Sequence, residues 1–463
     1  MHSEEERKVD LAVVGGGITG LAAAWTAAAE GFSVVLLESS DRFGGSVITH
    51  RANGYTIEGG PHTLLVNDQE VEDFLQSCGL WDQAIESQPG AAKRFVVRDG
   101  RPAALPSSLP SFLTGSFLSV PGKLRLLMEP FLQGKDSPKE EAMGPWVKRH
   151  FGREVSEGLA DPFISGIFAG DPEKISLQAA FPELAKIAGL HPSLIRSFLK
   201  KKKISKADGV VKYPRRMLSF PEGLAQMIGH LSRKGSFRSL AGSRLRSISK
   251  DKEGWFLQYR TGSEEAGRRL RANRILIAVP PHVLPELPFA DGIKSKLAEF
   301  SKVESPPVTT FSIAYRREDV THPLDGFGVL APSRESREVL GILFDSSLFP
   351  GRAPAGEVLL SAFLGGVRNA ERGRLDTETI LRLVRKECRE LLGAHGEPTY
   401  WKSTFWPRAI PQYNLGYHNI AANLNEIEAE NHGLAFAGNA RDGVSLGACI
   451  LSGIRRARDL SGK

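Results

Sequence analysis

The chain has 463 residues, and at roughly 150 residues per domain that length holds about three domains or two large interleaved ones. With 41% hydrophobic residues, 24% charged residues and a formal charge of only +7, it has the composition of a folded globule, which excludes disorder over most of its length. The basic excess is too small and too scattered for nucleic-acid binding. Three cysteines, Cys78, Cys388 and Cys449, none in CxxC spacing, support neither a disulfide framework nor a cysteine zinc site. They fit a reducing compartment, and the expected location is cytoplasmic.

The opening MHSEEERKVD lacks the apolar core of a secretion signal and the Arg/Ser-rich character of a transit peptide, so the mature chain is expected to start there. From Val9 an apolar run, a glycine cluster, an alanine-rich stretch and a β-branched run at 33–37 predict strand, tight turn, helix and strand. Gly15, Gly17 and Gly20 supply GxGxxG at the turn. There the first glycine permits the turn, the second admits a pyrophosphate and the third lets helix pack on strand. Gly16, Ile18 and Thr19 lie in the same turn, and the helix N-terminus faces the anion. Glu38 closes the second strand 18 residues after Gly20, where a carboxylate accepts ribose hydroxyls and repels a 2′-phosphate. FAD or NAD is thereby favoured over NADP. The following SSDRFGGS, residues 39–46, adds an arginine and a glycine pair in a second phosphate-facing turn, which tilts the reading to a flavin.

Strand-like runs follow at 55–58 and 94–98. The uncharged stretch 102–122 is long enough to span a bilayer, but its four prolines and five serines exclude a transmembrane helix. Residues 140–203 read as helical and end in the basic block Lys200–Lys203. That block directly follows apolar residues, as on segments lying on an anionic membrane surface. A helix is expected at 220–231, strands at 237–248, 254–260 and 270–279, a β-rich region at 306–365 and a helix at 376–394. The run RILIAVPP reads as a buried strand returning to the nucleotide-binding sheet. The C-terminal unit then gives a strand at 434–437, a turn at Gly438 and a final helix starting near Gly447.

On these residues the sequence resembles the protoporphyrinogen and coproporphyrinogen oxidase family, within the amine oxidase-like superfamily of FAD flavoproteins, over nearly its whole length. The resemblance rests on GGGITGLAAA, ESSDRFGG, DPFISGIFAGDPEKISLQAAFPEL (161–184), FGVLAP (327–332), LGILFDSSLFP (340–350), IPQYNLGYH (410–418) and GNARDGVSLGACILSG (438–453). It implies an α/β fold: a Rossmann-like FAD domain of the GR2 flavoprotein type, an interleaved α+β substrate domain and a mainly helical membrane-associating region. The corresponding boundaries are 1–75, 221–290 and 425–463 for FAD, 76–100 and 291–424 for substrate, and 101–220 for the membrane part.

The resemblance also implies roles for single residues. Gly15 to Gly20, Glu38 and Ser39 would hold the ADP part of a non-covalent FAD. Arg42, Gly45 and Ser46 would line the segment toward the flavin, and Gly60, Pro61, His62 and Thr63 the loop at the isoalloxazine. Leu245 would contact adenine from a strand edge, with Asn439, Val444, Ser445 and Leu446 at the pyrimidine end. A helix N-terminus there stabilises the negative charge of a reduced flavin. Arg94 would pair with a propionate of the tetrapyrrole, Leu330, Leu343 and Phe363 would sandwich the macrocycle, and Ala169 would close over it.

The implied reaction is a six-electron oxidation of protoporphyrinogen IX in three hydride transfers to the flavin, with dioxygen as acceptor and hydrogen peroxide as product. Coproporphyrinogen III is the alternative substrate. No metal is implied and no catalytic base is named. Ferrochelatase and a second copy of the chain are candidate partners. Two features depart from the family pattern. His62 stands where relatives often carry Arg, Asp or Asn, and its simpler reading is a loop cap. Asn-Ala-Arg-Asp occupies 439–442, where an aromatic residue often follows the glycine and asparagine. Competing readings are a flavin amine oxidase, a carotenoid desaturase and a porphyrin-binding protein with structural FAD. Against the first stands the absence of aromatic residues in 438–453.

Overall fold

The computed structural model describes residues 7–462 except 107, 116, 132–138, 208–212 and 263–266; the side chains of 109, 113 and 203–207 also lie outside the description. The N-terminal unit folds as its pattern requires: strand β1 (Arg7–Val14), a helix over Ile18–Ala29 and strand β2 (Val34–Leu37). Hairpin β3 (Thr49–Ala52) and β4 (Tyr55–Glu58) follows, then β5 (Leu64–Val66), β6 (Ile85–Glu86), and hairpin β7 (Phe95–Arg98) and β8 (Arg101–Ala104). After a run of helices come β9 (Arg216–Ser219), β10 (Arg238–Leu240), β11 (Ser243–Asp251), β12 (Gly254–Thr261) and β13 (Arg268–Ile277). The remaining strands are β14 (Val308–Arg316), β15 (Gly328–Leu330), β16 (Gly341–Leu343), β17 (Glu357–Gly365), β18 (Tyr400–Trp406) and β19 (Leu434–Phe436).

The first large sheet runs β10-β2-β1-β13-β12-β11, with β19 also on β13. Its β10, β2, β1, β13 and β19 pairings are parallel, and β11 and β12 add antiparallel strands. A parallel sheet is covered on both faces, so β1 is apolar at every position from Leu11 to Val14. Leu11 and Val13 face the N-terminal helix and the C-terminal helix Leu446–Ser461, while Ala12 and Val14 enter the cluster on the opposite face. The run RILIAVPP lies beside β1, as its apolar character predicts.

The second large sheet runs β18-β14-β17-β16-β15-β7-β8. Its inner residues Phe311, Ile313, Val329, Ile342, Leu360 and Ala362 pack on the helix Thr377–Leu392 through Ile380, Val384 and Cys388. The other face packs in part on Tyr55 and Ile57, through Ala314 and Leu359.

Two findings differ from the sequence expectation. Strands β8 and β9 lie inside the stretch 101–220 that was expected to be helical. Moreover, β9 forms a third, small sheet β5-β9-β6 that joins the end of that stretch to two strands preceding it. The pairing is long-range, so no local pattern announces it. No described helix is long and apolar enough to cross a membrane.

Candidate functional site: a dinucleotide turn facing an apolar sheet face

At the glycine turn, Gly15 adopts φ +106°, and a Cβ at Gly20 would stand 1.9 Å from the Gly15 carbonyl oxygen, so helix and turn touch without side chains. A Cβ at Gly17 would meet no atom within 4 Å. Gly17 caps the N-terminal helix, and no side chain bonds to the first-turn N–H groups. Open space over uncapped N–H groups is what a pyrophosphate requires. The Gly16 N–H donates to Glu38 Oε2 at 2.6 Å, and Oε1 accepts from the Ser40 N–H and hydroxyl. Glu38 thus ties the turn to its strand and stays half-exposed beside it. Ser39 is exposed next to it, and Ile18 and Thr19 are buried under the helix.

The Gly44 N–H bonds to the Gly16 carbonyl at 2.8 Å, and a Cβ at Gly45 would lie 3.5 Å from Gly17 Cα, so the second loop sits directly beside the first. Arg42 braces this loop from within, donating to the Gly45 carbonyl at 2.7 Å. A Cβ at Gly60 would fall 2.0 Å from the Ser46 carbonyl oxygen, which brings residues 60–63 against the end of the same loop. Pro61 and Thr63 are half-buried there.

The C-terminal helix closes the site from below. Ser445 caps it by accepting from the Ala448 N–H, and Gly447 and Gly453 press on the Leu65 and Thr19 carbonyls. Val444 is half-buried beside the cap, and Leu446 is buried behind it. Cys449 is buried as well, and burial pushes its thiol up to about 11, as suits a packing residue. Leu245, on edge strand β11, packs its half-buried side chain into the core of the first sheet.

The sequence 439–442 has no aromatic, but the stacked pair Tyr413 and Tyr417, with ring centres 4.3 Å apart, supplies one from an earlier loop. Their hydroxyls donate to the Asn439 and Ala440 carbonyls, each at 2.8 Å. Arg441 pairs with Glu428, and Asp442 accepts from Ser452, so the departure from the family pattern is absorbed by local bonds.

Across from residues 60–63 lies this other face of the second sheet. Registers Leu330–Gly341–Phe363 and Gly328–Leu343–Ser361 put Leu330, Leu343 and Phe363 on one face, opposite the packed Val329, Ile342 and Ala362. Ala169, at φ +50°, ends the helix Asp161–Phe168 and clusters with Phe363, Val308 and Leu340. Arg94 immediately precedes β7, beside the edge strand β8; its guanidinium lies 4.2 Å from the Phe327 ring centre and, among the described residues, bonds to the backbone carbonyls of residues 91–93. No carboxylate among the described residues pairs with it, and partial burial lowers its pKa.

Sequence reasoning missed the polar cluster between the two parts. His62 Nδ1 lies 2.8 Å from Asp345 Oδ1, both side chains being buried, and the His62 ring meets Phe363 edge-on at 5.3 Å. The loop-cap reading of His62 is therefore replaced by a contact across 283 residues. Arg352 lies 3.7 Å from Glu58, again with both buried, and Trp406 Nε1 donates to the Gly59 carbonyl at 2.7 Å. One signal in the sequence could have pointed to Asp345: a lone carboxylate inside the apolar run LGILFDSSLFP.

Residues 18–461 match the protein family described as flavin containing amine oxidoreductase. The chain belongs to that family. It is 31% identical to protoporphyrinogen oxidase 2, chloroplastic/mitochondrial, of Arabidopsis thaliana over 96% of this chain and 92% of that one. It is 24% identical to coproporphyrinogen III oxidase of Bacillus subtilis (strain 168), over 96% of each chain. In fold it is similar to a provisionally named protoporphyrinogen oxidase from Exiguobacterium sp. 255-15, with TM-score 0.80, 22% identity, and coverage of 99% and 100%. The protein is thus a flavin-dependent oxidase with an amine oxidase-like fold and FAD as its cofactor. The uncapped N-terminus and side-chain-free cradle at Gly17 fit that cofactor.

Proposed function

We propose that this oxidase converts a porphyrinogen to a porphyrin, with protoporphyrinogen IX as the substrate and coproporphyrinogen III as the alternative. The observation that carries the reading is the apolar face formed by Leu330, Leu343 and Phe363, opposite the 60–63 loop and with Arg94 at its edge. A large planar ligand needs an apolar lining with few polar anchors, and an arginine without a carboxylate partner suits a propionate. Names borne by the relatives support the same substrate class.

In this reading residues 15–20, 38–39 and 42–46 hold the ADP and ribityl parts of FAD, with Leu245 at the adenine. Residues 60–63, Asn439 and 444–446 surround the flavin ring. When bound, FAD accepts hydride and passes electrons to dioxygen. The protein orients the macrocycle against it and excludes water with Ala169 and the sheet face. In the deciding experiment, the purified holoenzyme is mixed anaerobically with protoporphyrinogen IX and, separately, coproporphyrinogen III. Bleaching of the flavin followed by red porphyrin fluorescence on admitting air is expected, and kcat/KM ranks the two substrates. A flavin that neither porphyrinogen bleaches overturns the reading.

We further propose peripheral attachment to an anionic membrane. Val120, Leu124, Leu127 and Phe131 repeat at helical spacing and are 51–74% exposed, and Phe198 and Leu199 are exposed on the helix Leu194–Ala207. Glu129 clamps the two segments together, accepting from the Ser193 hydroxyl and the Leu194 N–H, so their apolar sides belong to one surface. Lys200, Lys201 and Lys202 border it; the Lys203 side chain lies outside the described residues. Flotation with anionic vesicles should carry the protein upward, and L124S/F131S should cut the bound fraction by about tenfold or more. Full retention in the soluble fraction for the unaltered chain would discard this surface.

A further inference from the structure

The His62 and Asp345 pair has a property that neither flavin retention nor packing explains. His62 Nε2 and Asp345 Oδ2 are both buried, and neither has a hydrogen-bond partner among the described residues. The two side chains are 5% and 8% exposed. A buried polar atom left unsatisfied is costly, and such atoms concentrate where a ligand or a reaction uses them. A carboxylate can only accept, so Asp345 Oδ1 places the ring proton on Nδ1 and leaves Nε2 with its lone pair free.

The position of that lone pair is defined by its neighbours. His62 follows Gly60 and Pro61 in the loop against Ser46, and its ring contacts Phe363, which shares a sheet face with Leu330 and Leu343. Asp345 comes two residues after Leu343, at the start of the short helix Asp345–Leu348. The imidazole thus bridges the loop assigned to the flavin ring and the face assigned to the substrate. The charged groups around it are Asp345, Glu58 and Arg352. Arg352 lies close to both carboxylates, and Glu58 is also held by the Thr49 hydroxyl and the Leu224 N–H. Two carboxylates and one guanidinium therefore surround the buried ring.

Resting on the porphyrinogen reading above, we infer that His62 Nε2 is the base that takes the ring N–H proton of the substrate, with Asp345 as the residue that positions it. In a two-electron step a bridging C–H bond breaks and its hydride goes to the bound flavin. The pyrrole N–H bond breaks, its proton goes to Nε2, and its electron pair enters the new π system. The substrate loses two electrons, the flavin gains them, and dioxygen later removes them. The proton leaves His62 for solvent before the next step.

The test uses holoenzyme with FAD bound, comparing wild type, His62→Gln and Asp345→Asn. Anaerobic mixing with porphyrinogen across pH 6–9 should show flavin reduction slowed roughly a hundredfold or more in His62→Gln, the usual range for removing a general base. FAD content, thermal midpoint and porphyrin affinity are measured on the same samples, so that the rates refer to folded, loaded enzyme. The pH dependence of the reduction rate should vanish with His62 and move in Asp345→Asn. Independently of turnover, imidazole ¹⁵N spectra of the resting holoenzyme should show Nε2 as the unprotonated nitrogen, with that signal reassigned in Asp345→Asn. Reduction in His62→Gln at the wild-type rate with the wild-type pH profile would overturn the assignment, as would a protonated Nε2 throughout the range. If wild-type flavin is not reduced by any porphyrinogen, the substrate reading fails, and the nitrogen spectra still report on the pair.

Discussion

In the function proposed above, the two large sheets would carry their parts of the site by opposite means. Around the first sheet, recognition is built from missing side chains: Gly15, Gly17, Gly20, Gly45 and Gly60 let backbone approach backbone and leave room for phosphate. On the second sheet, recognition is built from side chains that are present, with Leu330, Leu343 and Phe363 on one face, Arg94 at the edge and His62 above. At Gly15, Gly20 and Gly60 the first design has no room for an added atom, whereas the second grades its response with each atom removed. A steric overlap cannot relax in a close-packed turn, whereas a truncated lining residue loses only its own contacts.

The largest effect should come from the cradle. Gly20→Ala would put a Cβ 1.9 Å from the Gly15 carbonyl, and the protein should purify colourless with a lowered melting midpoint. Gly17→Ala sharpens the point, because its Cβ meets no protein atom. That variant should fold normally when FAD-free and yet retain little flavin, as measured by the 450 nm to 280 nm absorbance ratio. Full flavin content in Gly17→Ala would mean that the pyrophosphate lies elsewhere.

On the second sheet the response should be partial and separable. Arg94→Ala removes a charge-assisted contact of about 1.5–3 kcal/mol, so KM for porphyrinogen should rise roughly ten- to a hundredfold with FAD content unchanged. An unchanged KM would return Arg94 to a structural role over Phe327. The smallest effect is expected at Ala169, whose φ of +50° is unfavourable for a residue with a Cβ. Ala169→Gly should alter stability by only about 1 kcal/mol or less, since relief of backbone strain is offset by a freer unfolded chain. A drop in kcat in that variant without a change in melting midpoint would show that the rigid turn positions substrate.

This contrast also governs what could be read from the sequence. The strand, turn and helix around Gly15, the second strand to Leu37, the returning strand β13 and the final helix all follow from local pattern, and their edges moved by only a few residues. Each is a short-range rule about periodicity or glycine. Strand β9 escaped it because its partners β5 and β6 lie far earlier in the chain, whereas β8 pairs with its neighbour β7 across Asp99 and Gly100, a local turn signal that the helical reading passed over. Likewise, Arg94, Leu330, Leu343 and Phe363 were placed by resemblance alone, since an apolar residue on a site face and one in the core look identical in sequence. The bond between His62 and Asp345 had no local signature beyond a carboxylate in an apolar run, and Tyr413 and Tyr417 gave no hint that they support residues 439–440.

The C-terminal helix has a consequence for how the protein is made. Residues 18–29 are made long before residues 446–461, which complete the surface they offer and dock so closely that a methyl group at Gly453 would strike the Thr19 carbonyl at 2.3 Å. Strand β19, also late, finishes the edge of β13. Until residues 446–461 have been made, the growing chain therefore exposes Leu21, Ala22 and the apolar edge of its first large sheet.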